Sequence, residues 1–178
     1  MKKISRFLLC TMFVGMILTG CGKKGSELVS KTPFPDFSET TVEGETFSND
    51  IFKEYHATIV NFWNNGCGTC IEEMPELEEL YHEFQKEDVN LIGVGTDSGE
   101  NEEQFETAKE ILKEKQVTYP NISPDPGKTF YKEFISNLSS YPVTYVVDRE
   151  GNIVGAPIYG NVKKQLETIQ LRIEGLTE

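Results

Sequence analysis

Apolar residues follow two different periods along the chain, and these periods predict its elements. Continuous apolar runs, typical of strands covered on both faces, occupy residues 58–63, 89–96 and 143–148. Apolar residues at a spacing of three to four follow the first run up to Phe84 and recur over 102–115 and from Val162 to Ile173. That spacing predicts amphipathic helices, and a short further helix is expected over 127–134.

Two hairpins complete the predicted fold. One is expected near the start of the domain over 37–47, with its turn at Glu43-Gly44, and the other pairs 143–148 with 153–158 around a turn at 149–152. The resulting order is strand, helix, strand, helix, helix, strand, strand, helix. It predicts an α/β fold with a mixed central sheet flanked by helices, an N-terminal hairpin and an inserted helix over 102–115.

The first twenty residues have the pattern of an export signal. Three basic residues precede an uncharged apolar stretch over 7–18, which is too short for an ordinary spanning helix. The stretch ends in Leu18-Thr19-Gly20-Cys21, which resembles the lipobox of bacterial lipoproteins. We therefore expect a signal peptide over 1–20, a lipid-anchored tether over 21–31 that begins at Cys21, and one folded domain over 32–178. An unmodified Cys21 or a retained apolar anchor is the alternative, and either would still export the domain.

Charge and composition exclude some classes of partner. The 178 residues carry a formal net charge of −12, and loss of residues 1–20, which hold three positive charges and no negative ones, would change it to −15. Electrostatic binding to nucleic acid or to anionic lipid requires basic patches. We therefore expect no nucleic-acid partner, and the hydrophobic content of 38% is sufficient for an ordinary core.

The positions of the four cysteines limit the chemistry that the folded domain can carry out. Of the four, Cys10 lies in the apolar signal segment and Cys21 is assigned to lipid, which leaves Cys67 and Cys70 in the folded domain. A structural zinc site needs four ligands, and the two histidines lack metal-ligand spacing, so we expect no metal and no other cofactor. Cys67 lies at the start of a predicted helix, where the pKa of a thiol is lowered, and Cys70 should be more buried. A redox-active pair is the favoured interpretation, and a static disulfide is the alternative.

Several motifs together indicate a family. A strand ends in Phe62-Trp63, a Cys-x-x-Cys pair begins a helix, a proline follows the second cysteine by five residues, and a loop proline precedes a hairpin. From Pro33 to Glu174 the chain thereby resembles the thioredoxin fold. The Pro-Asp-Phe opening, the N-terminal hairpin and the sequence Asn61-Phe62-Trp63 are similar to the membrane-tethered TlpA/ResA-like branch of thiol-disulfide oxidoreductases.

This resemblance implies roles for individual residues. Cys67 would be the nucleophile and Cys70 the resolving thiol. Thioredoxins themselves have a buried Asp at the position of Asn61, whereas the TlpA/ResA-like branch uses a glutamate three residues after the second cysteine for proton transfer, which here is Glu73. The alternative is that Glu73 belongs to a solvated acidic run over 72–79.

Other residues are expected to support the site. Pro142 matches the cis-proline that lies opposite the cysteines in this family, and Trp63 is expected to pack beside them. Gly66 replaces an aromatic residue commonly found before the first cysteine, Gly68-Thr69 differs from the Gly-Pro of reducing thioredoxins, and Tyr141 precedes Pro142 where a small or β-branched residue is usual. These departures affect partner choice and redox potential and leave the thiol chemistry intact.

The resemblance also implies a biological role. The expected protein is a monomeric reductant on the extracytoplasmic face of the cell membrane, which receives electrons from a membrane thiol transporter of the DsbD/CcdA type. It would pass them to an oxidised exported protein, such as an apocytochrome c or a methionine sulfoxide reductase. The alternatives are a thiol oxidant that introduces disulfides and, from another class, an anchored binding lipoprotein with an inert structural disulfide. Peroxiredoxins and copper-delivery proteins of this fold fit less well, because the first use a Thr-x-x-Cys site and the second a wider cysteine spacing.

Overall fold

Within residues 32–176, which the computed structural model describes, the chain forms a seven-stranded mixed sheet in the order β2-β1-β5-β4-β3-β6-β7. The expected signal peptide and tether lie outside these residues. The strands are β1 (Ser38–Thr41), β2 (Thr46–Ser48), β3 (Ala57–Trp63), β4 (Val89–Gly95), β5 (Asn121–Ser123), β6 (Val143–Asp148) and β7 (Ile158–Tyr159).

The described helices comprise α-helices and short 3-10 or π segments. The α-helices are α1 (Gly68–Phe84), α2 (Glu102–Glu114) and α3 (Leu166–Glu174). The short segments are 3-10 helices at Asn49–Glu54, Gln85–Glu87, Ile135–Asn137 and Val162–Gln165, and a π-helix at Phe130–Phe134. No helix between residues 32 and 176 is both long enough and apolar enough to cross a membrane.

The apolar runs form the centre of the sheet, as predicted. β3 pairs in parallel with β4 and antiparallel with β6, and every residue of these three strands is buried. Continuous apolar character follows from this position, because each strand has a neighbour on both edges and a packed layer on both faces. The predicted mixed sheet, N-terminal hairpin and inserted helix α2 are therefore confirmed.

Different elements pack against the two faces of the sheet. On one face, α1 and α3 cover alternate residues of the central strands, including Ile59 and Val146. On the other face, an aromatic cluster joins the segment before β1 to the 3-10 and π segments. Phe34 contacts Phe52 and Phe134 with ring centroids 5.4 and 5.6 Å apart, and such aromatic pairs add to the free energy gained by burial of their area.

The structure corrects the predicted C-terminal hairpin. Only Ile158–Tyr159 forms a regular strand opposite β6, while Ile153 makes an isolated bridge to Val147. Gly155 interrupts the ladder between them with a φ of 75°, a left-handed conformation that glycine adopts without steric cost. Strand β5 connects the N-terminal hairpin to the rest of the sheet, because it pairs with β1 on one side and with β4 on the other.

The chain enters the domain beside the 149–152 turn. The Ile153 N–H donates to the Thr32 carbonyl at 2.9 Å, and the Phe34 N–H donates to the Gly151 carbonyl at 2.8 Å. This turn follows Asp148, which is paired with Ala57 at the start of β3. The entry point therefore lies at the end of the sheet opposite the end of β3 from which α1 begins.

Candidate active site

Cys67 and Cys70 form a disulfide where α1 begins. Cys67 is the N-cap residue, and its Sγ accepts a hydrogen bond from the Cys70 N–H at 3.2 Å. Cys67 is half-buried and Cys70 is 1% exposed, while Gly68 and Thr69 between them are exposed. One sulfur is thus accessible to another molecule, and the second lies beneath it in the core.

The loop before the disulfide is held by α2 and by the segment that follows β4. The Asn65 N–H donates to both carboxylate oxygens of Asp97 at 3.0 and 3.1 Å. The Asn65 side chain donates to the carbonyl and to Oε1 of Gln104 at 2.9 and 2.7 Å. Burial raises the pKa of Asp97 above its ordinary value. These contacts fix the backbone that leads into Cys67.

Glu73 lies in the core beneath the disulfide, three residues after Cys70 on the same helix. Its side chain is 1% exposed, unlike a member of a solvated acidic run. Oε1 accepts from Asn61 Nδ2 at 3.3 Å, and Oε2 accepts from the Val162 N–H at 2.8 Å. Residues three apart on a helix share a face, so Glu73 and Cys70 both point toward the sheet.

The environment of Glu73 makes its carboxyl group a weak acid. Burial raises its pKa to about 7, the hydrogen bonds from Val162 and Asn61 oppose that rise, and the negative charge of Glu76 adds to it. At neutral pH the protonated and ionised forms are therefore present in similar amounts. A group with a pKa near the working pH is suited to general acid and base chemistry.

Trp63 packs under the disulfide and is anchored by its indole. It is 1% exposed and lies in one cluster with Cys70, Met74 and two residues of α2. Its Nε1 donates to Asn121 Oδ1 at 2.9 Å. Asn121 reaches this position because Gly93 lies beneath it: a Cβ on Gly93 would be 2.0 Å from Asn121 Oδ1. Trp63 and Cys70 thus lie in the same buried cluster.

Pro142 and Tyr141 form the other side of the site. The Tyr141–Pro142 peptide bond is cis, Pro142 is buried, and its carbonyl accepts from the Gly160 N–H at 2.9 Å. Tyr141 is half-buried and packs, like Cys67, against the cluster that contains Trp63. The structure thus brings together Cys67, Cys70, Glu73, Trp63, Tyr141 and Pro142 around the start of α1.

A cleft of about 660 Å³ opens beside the disulfide. Its walls are the loop before Cys67, the segment after β4 and the chain from Tyr131 to Tyr141. The charged residues of its lining are Asp97 and Glu100, and Glu100 accepts a hydrogen bond from the Tyr131 hydroxyl at 2.8 Å. That bond raises the pKa of Tyr131 to about 12.

Sequence reasoning did not identify three contributors to the site. Asn121 accepts from the Trp63 indole, Thr144 lies within the apolar run over 143–148, and Val162 contributes only its backbone N–H. A polar residue inside an otherwise apolar strand was the one available signal, and it applied to Thr144 and to Asn61. The contribution of Val162 had no side-chain signal.

The described residues contain no group of three or more His, Cys, Asp or Glu side chains placed to share a metal. The chemistry of the site is that of sulfur. A thiolate attacks a disulfide, a mixed disulfide forms, and a second thiol resolves it. This exchange needs a cysteine pair and no cofactor.

Comparison with known proteins finds relatives that are similar to this chain in sequence and in fold. The model of the AhpC/TSA family matches residues 31–156. A thiol-disulfide oxidoreductase ResA from Bacillus thuringiensis is 26% identical over 166 residues, which cover 93% of this chain and 91% of that protein. The thioredoxin-like protein YneN of Bacillus subtilis is 29% identical over 133 residues, 75% of this chain and 74% of its own length.

The structural comparison gives the same fold. The thioredoxin domain of a thiol-disulfide oxidoreductase from Bacteroides vulgatus superposes with a TM-score of 0.64 at 25% identity, and the match covers 79% of this chain and 97% of that domain. The predicted thioredoxin-like fold is thereby confirmed. A family match over most of the domain, these relatives and a cysteine pair at the start of α1 agree with one another: the chain belongs to the AhpC/TSA family, and within it is a thioredoxin-like thiol-disulfide oxidoreductase.

Proposed function

We propose that this protein reduces disulfides in exported proteins at the extracytoplasmic face of the cell membrane, where lipid on Cys21 anchors it. The observation that carries the proposal is the disulfide at the N-cap of α1, with the sulfur of Cys67 accessible and a weakly acidic carboxyl group buried behind Cys70. The lipobox-like sequence before Cys21 supports the location. Two acyl chains on one residue give stable anchoring.

In the first step, Cys67 attacks the disulfide of the substrate. Unpaired N–H groups and the positive end of the helix dipole at the start of α1 favour the thiolate of Cys67 over the thiol. A sulfur–sulfur bond forms between Cys67 and the substrate as the substrate disulfide breaks. The sulfur that leaves takes up a proton and becomes the first free thiol of the substrate.

In the second step, Cys70 resolves the mixed disulfide. Its thiol must lose a proton in order to attack the Sγ of Cys67, and Glu73 is the acceptor on the same face of α1. Because the pKa of Glu73 is about 7, its ionised form is available at neutral pH. The Cys67–Cys70 disulfide forms, the second thiol of the substrate is released, and the protein has given up two electrons.

The partners follow from this direction of electron flow. A membrane thiol transporter of the DsbD/CcdA type would return two electrons to the disulfide. The electron acceptor would be an apocytochrome c or another oxidised exported protein, with a methionine sulfoxide reductase as a further candidate. Pro142 and Tyr141, opposite the cysteines, together with Gly68 and Thr69 would contact an extended segment of that protein.

The test is to trap the substrate. In Cys70→Ser the resolving thiol is absent, so Cys67 should remain in mixed disulfides with its natural partners, which can be purified and identified from the native host. Cys67→Ser is the matched control and should trap nothing. Recovery of no partner with Cys70→Ser, or of the same proteins with both variants, would refute the role of Cys67 as nucleophile.

A redox titration separates this proposal from its rivals. The disulfide is equilibrated with dithiothreitol or glutathione, and the midpoint gives its potential. A potential far below about −300 mV without disulfide-reductase activity would indicate an inert structural disulfide. The oxidation state of Cys67–Cys70 in cells tests the direction, because a reductant is held mainly as the dithiol and an oxidant mainly as the disulfide.

A further inference from the structure

The carboxamide of Asn61 lies between Glu73 and Thr144 in the buried layer beneath α1. Its Nδ2 donates to Glu73 Oε1 at 3.3 Å and to Thr144 Oγ1 at 3.1 Å. Asn61 and Glu73 are each 1% exposed, and Thr144 is 0% exposed. The three side chains therefore form a hydrogen-bonded row that ends on a carboxyl group of the proposed site.

Neither Asn61 nor Thr144 is needed to build the sheet. Their backbones pair directly opposite each other in the β3–β6 ladder, and Asn61 also pairs with Gly93 of β4. Apolar residues occupy most of the neighbouring positions in these strands, and a buried polar side chain costs free energy unless it is hydrogen-bonded. The hydrogen bonds to each other and to Glu73 offset that cost, and the ladder itself does not require these two polar side chains.

We propose that Asn61 and Thr144 are positioning residues that hold an N–H group against Glu73, so that its carboxylate is available when Cys70 is deprotonated. The inference rests on the proposed function. An amide NH₂ has two N–H donors, and the bond to Thr144 fixes one of them so that the other points at Oε1. Thr144, 83 residues away from Asn61, thus acts on Glu73 through a second side chain.

The charges that face Glu73 come from few elements. Glu76 of α1 is negative, and Lys163, from the 3-10 helix that supplies Val162, lies 3.4 Å from Glu76 rather than on Glu73. The buried Tyr119, from the segment before β5, interacts electrostatically with Glu73, and β3 and β6 present neutral side chains. Cys70, three residues before Glu73 on α1, becomes titratable when the disulfide is reduced.

Loss of the hydrogen bond from Asn61 would change the pKa of Glu73 in a definite direction. The Val162 and Asn61 hydrogen bonds lower the pKa of Glu73 against the effect of burial. Removal of the Asn61 bond therefore shifts ionisation of Glu73 to higher pH and slows the resolving step on the acidic side of its profile. At high pH, where Glu73 is ionised in every variant, the rates converge.

The resolving step can be measured with 5,5′-dithiobis(2-nitrobenzoate). The full chain is reduced, freed of reductant and mixed with this probe. Cys67 attacks first and releases one thionitrobenzoate, and Cys70 then displaces the second and closes the disulfide. The rate of the second release is recorded from pH 5.5 to 9.5 for the wild type, Asn61→Leu and Thr144→Val.

The expected result is a shift of the second-phase profile toward higher pH. Each of Asn61→Leu and Thr144→Val should slow the second release at least roughly threefold near pH 6.5 and leave it within about twofold at pH 9.5. Thr144→Ser keeps the hydroxyl and should restore the wild-type profile. If Asn61→Leu does not fold, Thr144→Val and Thr144→Ser carry the same comparison.

Measurements in the Glu73→Gln background separate the positioning role of Asn61 and Thr144 from the proposed proton transfer by Glu73. If Asn61 and Thr144 act through Glu73, their substitutions leave the second phase of Glu73→Gln unchanged. An equal slowing in both backgrounds, or no shift in the wild-type background, would overturn the positioning role. If Glu73→Gln itself keeps the wild-type profile, the proposed proton transfer by Glu73 fails, and the inference fails with it.

Discussion

The backbone N–H of Val162 donates to Glu73 Oε2 at 2.8 Å, across 89 residues of sequence. Two residues before Val162, the N–H of Gly160 donates to the carbonyl of Pro142 at 2.9 Å. A single short segment therefore contacts both the buried carboxyl group and the cis-proline. The two sides of the proposed site are joined by backbone hydrogen bonds from this segment.

The first prediction concerns stability and pH. Because burial raises the pKa of Glu73 to about 7, the folded protein holds this proton more tightly than the unfolded chain does. The stability that results is fully present below about pH 4.5 and is lost as the pH rises through 7. Relative to wild type, oxidised Glu73→Gln should therefore gain up to about 3 kcal/mol of unfolding free energy between pH 4.5 and 8.

Urea unfolding at each pH measures this difference. Glu72→Gln is the control, because it removes the same charge from an exposed position on the same helix. Its difference from wild type should change little over the same range. A flat difference for Glu73→Gln would show that the folded protein does not hold the Glu73 proton more tightly than the unfolded chain.

A second prediction links Gly93 to Asn121. A Cβ at position 93 would lie 2.0 Å from Asn121 Oδ1, so Gly93→Ala must displace Asn121 from the Trp63 indole. Gly93→Ala and Asn121→Ala should each lower the free energy of unfolding by about 1 to 3 kcal/mol. In both variants Trp63 Nε1 loses its acceptor.

The double variant provides the decisive comparison. In Gly93→Ala/Asn121→Ala the clash is absent, so the combined loss should be smaller than the sum of the two single losses. Chemical denaturation of the four proteins gives the coupling energy. Strict additivity would mean that the two side-chain positions do not compete for the same space.

The central strands and the reactive pair could be predicted from the sequence because both are local signals. Strands β3, β4 and β6 are continuous apolar runs, and the pair follows directly where β3 ends. The contacts that define the environment of the site are not local. Trp63 meets Asn121 across 58 residues, and Asn61 meets Thr144 across 83. Only the register of the sheet determines which polar residues become partners.

The prediction of a full strand over 153–158 as the hairpin partner of β6 was wrong for a related reason. An apolar run after a tight turn predicts a full strand, and the residues from Ile153 to Ile158 do contain buried apolar side chains. Gly155 changes the direction of the backbone, and Arg172 of α3 lies within 3.0 Å of where its Cβ would be. The strand is thus interrupted at Gly155, where the chain contacts α3, and the local pattern of apolar residues does not reveal this interruption.

A third prediction concerns the carboxylate of Glu39, which ties β1 to the 124–128 loop. Glu39 is 1% exposed, and its Oε2 accepts from Lys128 at 3.0 Å and from the Asp125 N–H at 3.1 Å. Its Oε1 has no hydrogen-bond partner among the described residues. Lys128→Met should therefore cost about 1 to 3 kcal/mol, since it leaves a buried charge with one neutral donor.

The matched variant is Glu39→Gln, which removes the charge and keeps the shape. In that background Lys128→Met should lower the free energy of unfolding clearly less than it does in the wild type. The reason is that no buried negative charge remains to be compensated. Thermal unfolding of the four proteins measures the effect. Lys128 also donates to the Ser38 carbonyl. Equal losses in both backgrounds would show that Lys128 acts through this bond or its packing and not by compensating the charge of Glu39.

The fourth prediction is that one buried hydroxyl group is dispensable. Tyr119 is 2% exposed, and within residues 32–176 its hydroxyl has no hydrogen-bond partner. Replacement of an unsatisfied polar group by an apolar one of the same shape is neutral or favourable. Tyr119→Phe should leave the stability unchanged or raise it by up to about 1 kcal/mol. A loss above about 1 kcal/mol on urea unfolding would indicate that the hydroxyl has a partner in solution.

The position at which the chain enters the domain sets a geometric limit on the proposed anchor. Thr32 lies beside the 149–152 turn, at the end of the sheet opposite Cys67. The eleven residues of 21–31 can span at most about 40 Å. A domain of this size has a radius of gyration of about 15 Å. A sphere with that radius of gyration is about 39 Å across. A lipid at Cys21 would therefore hold the disulfide on the side of the domain away from the bilayer unless the tether were almost fully extended.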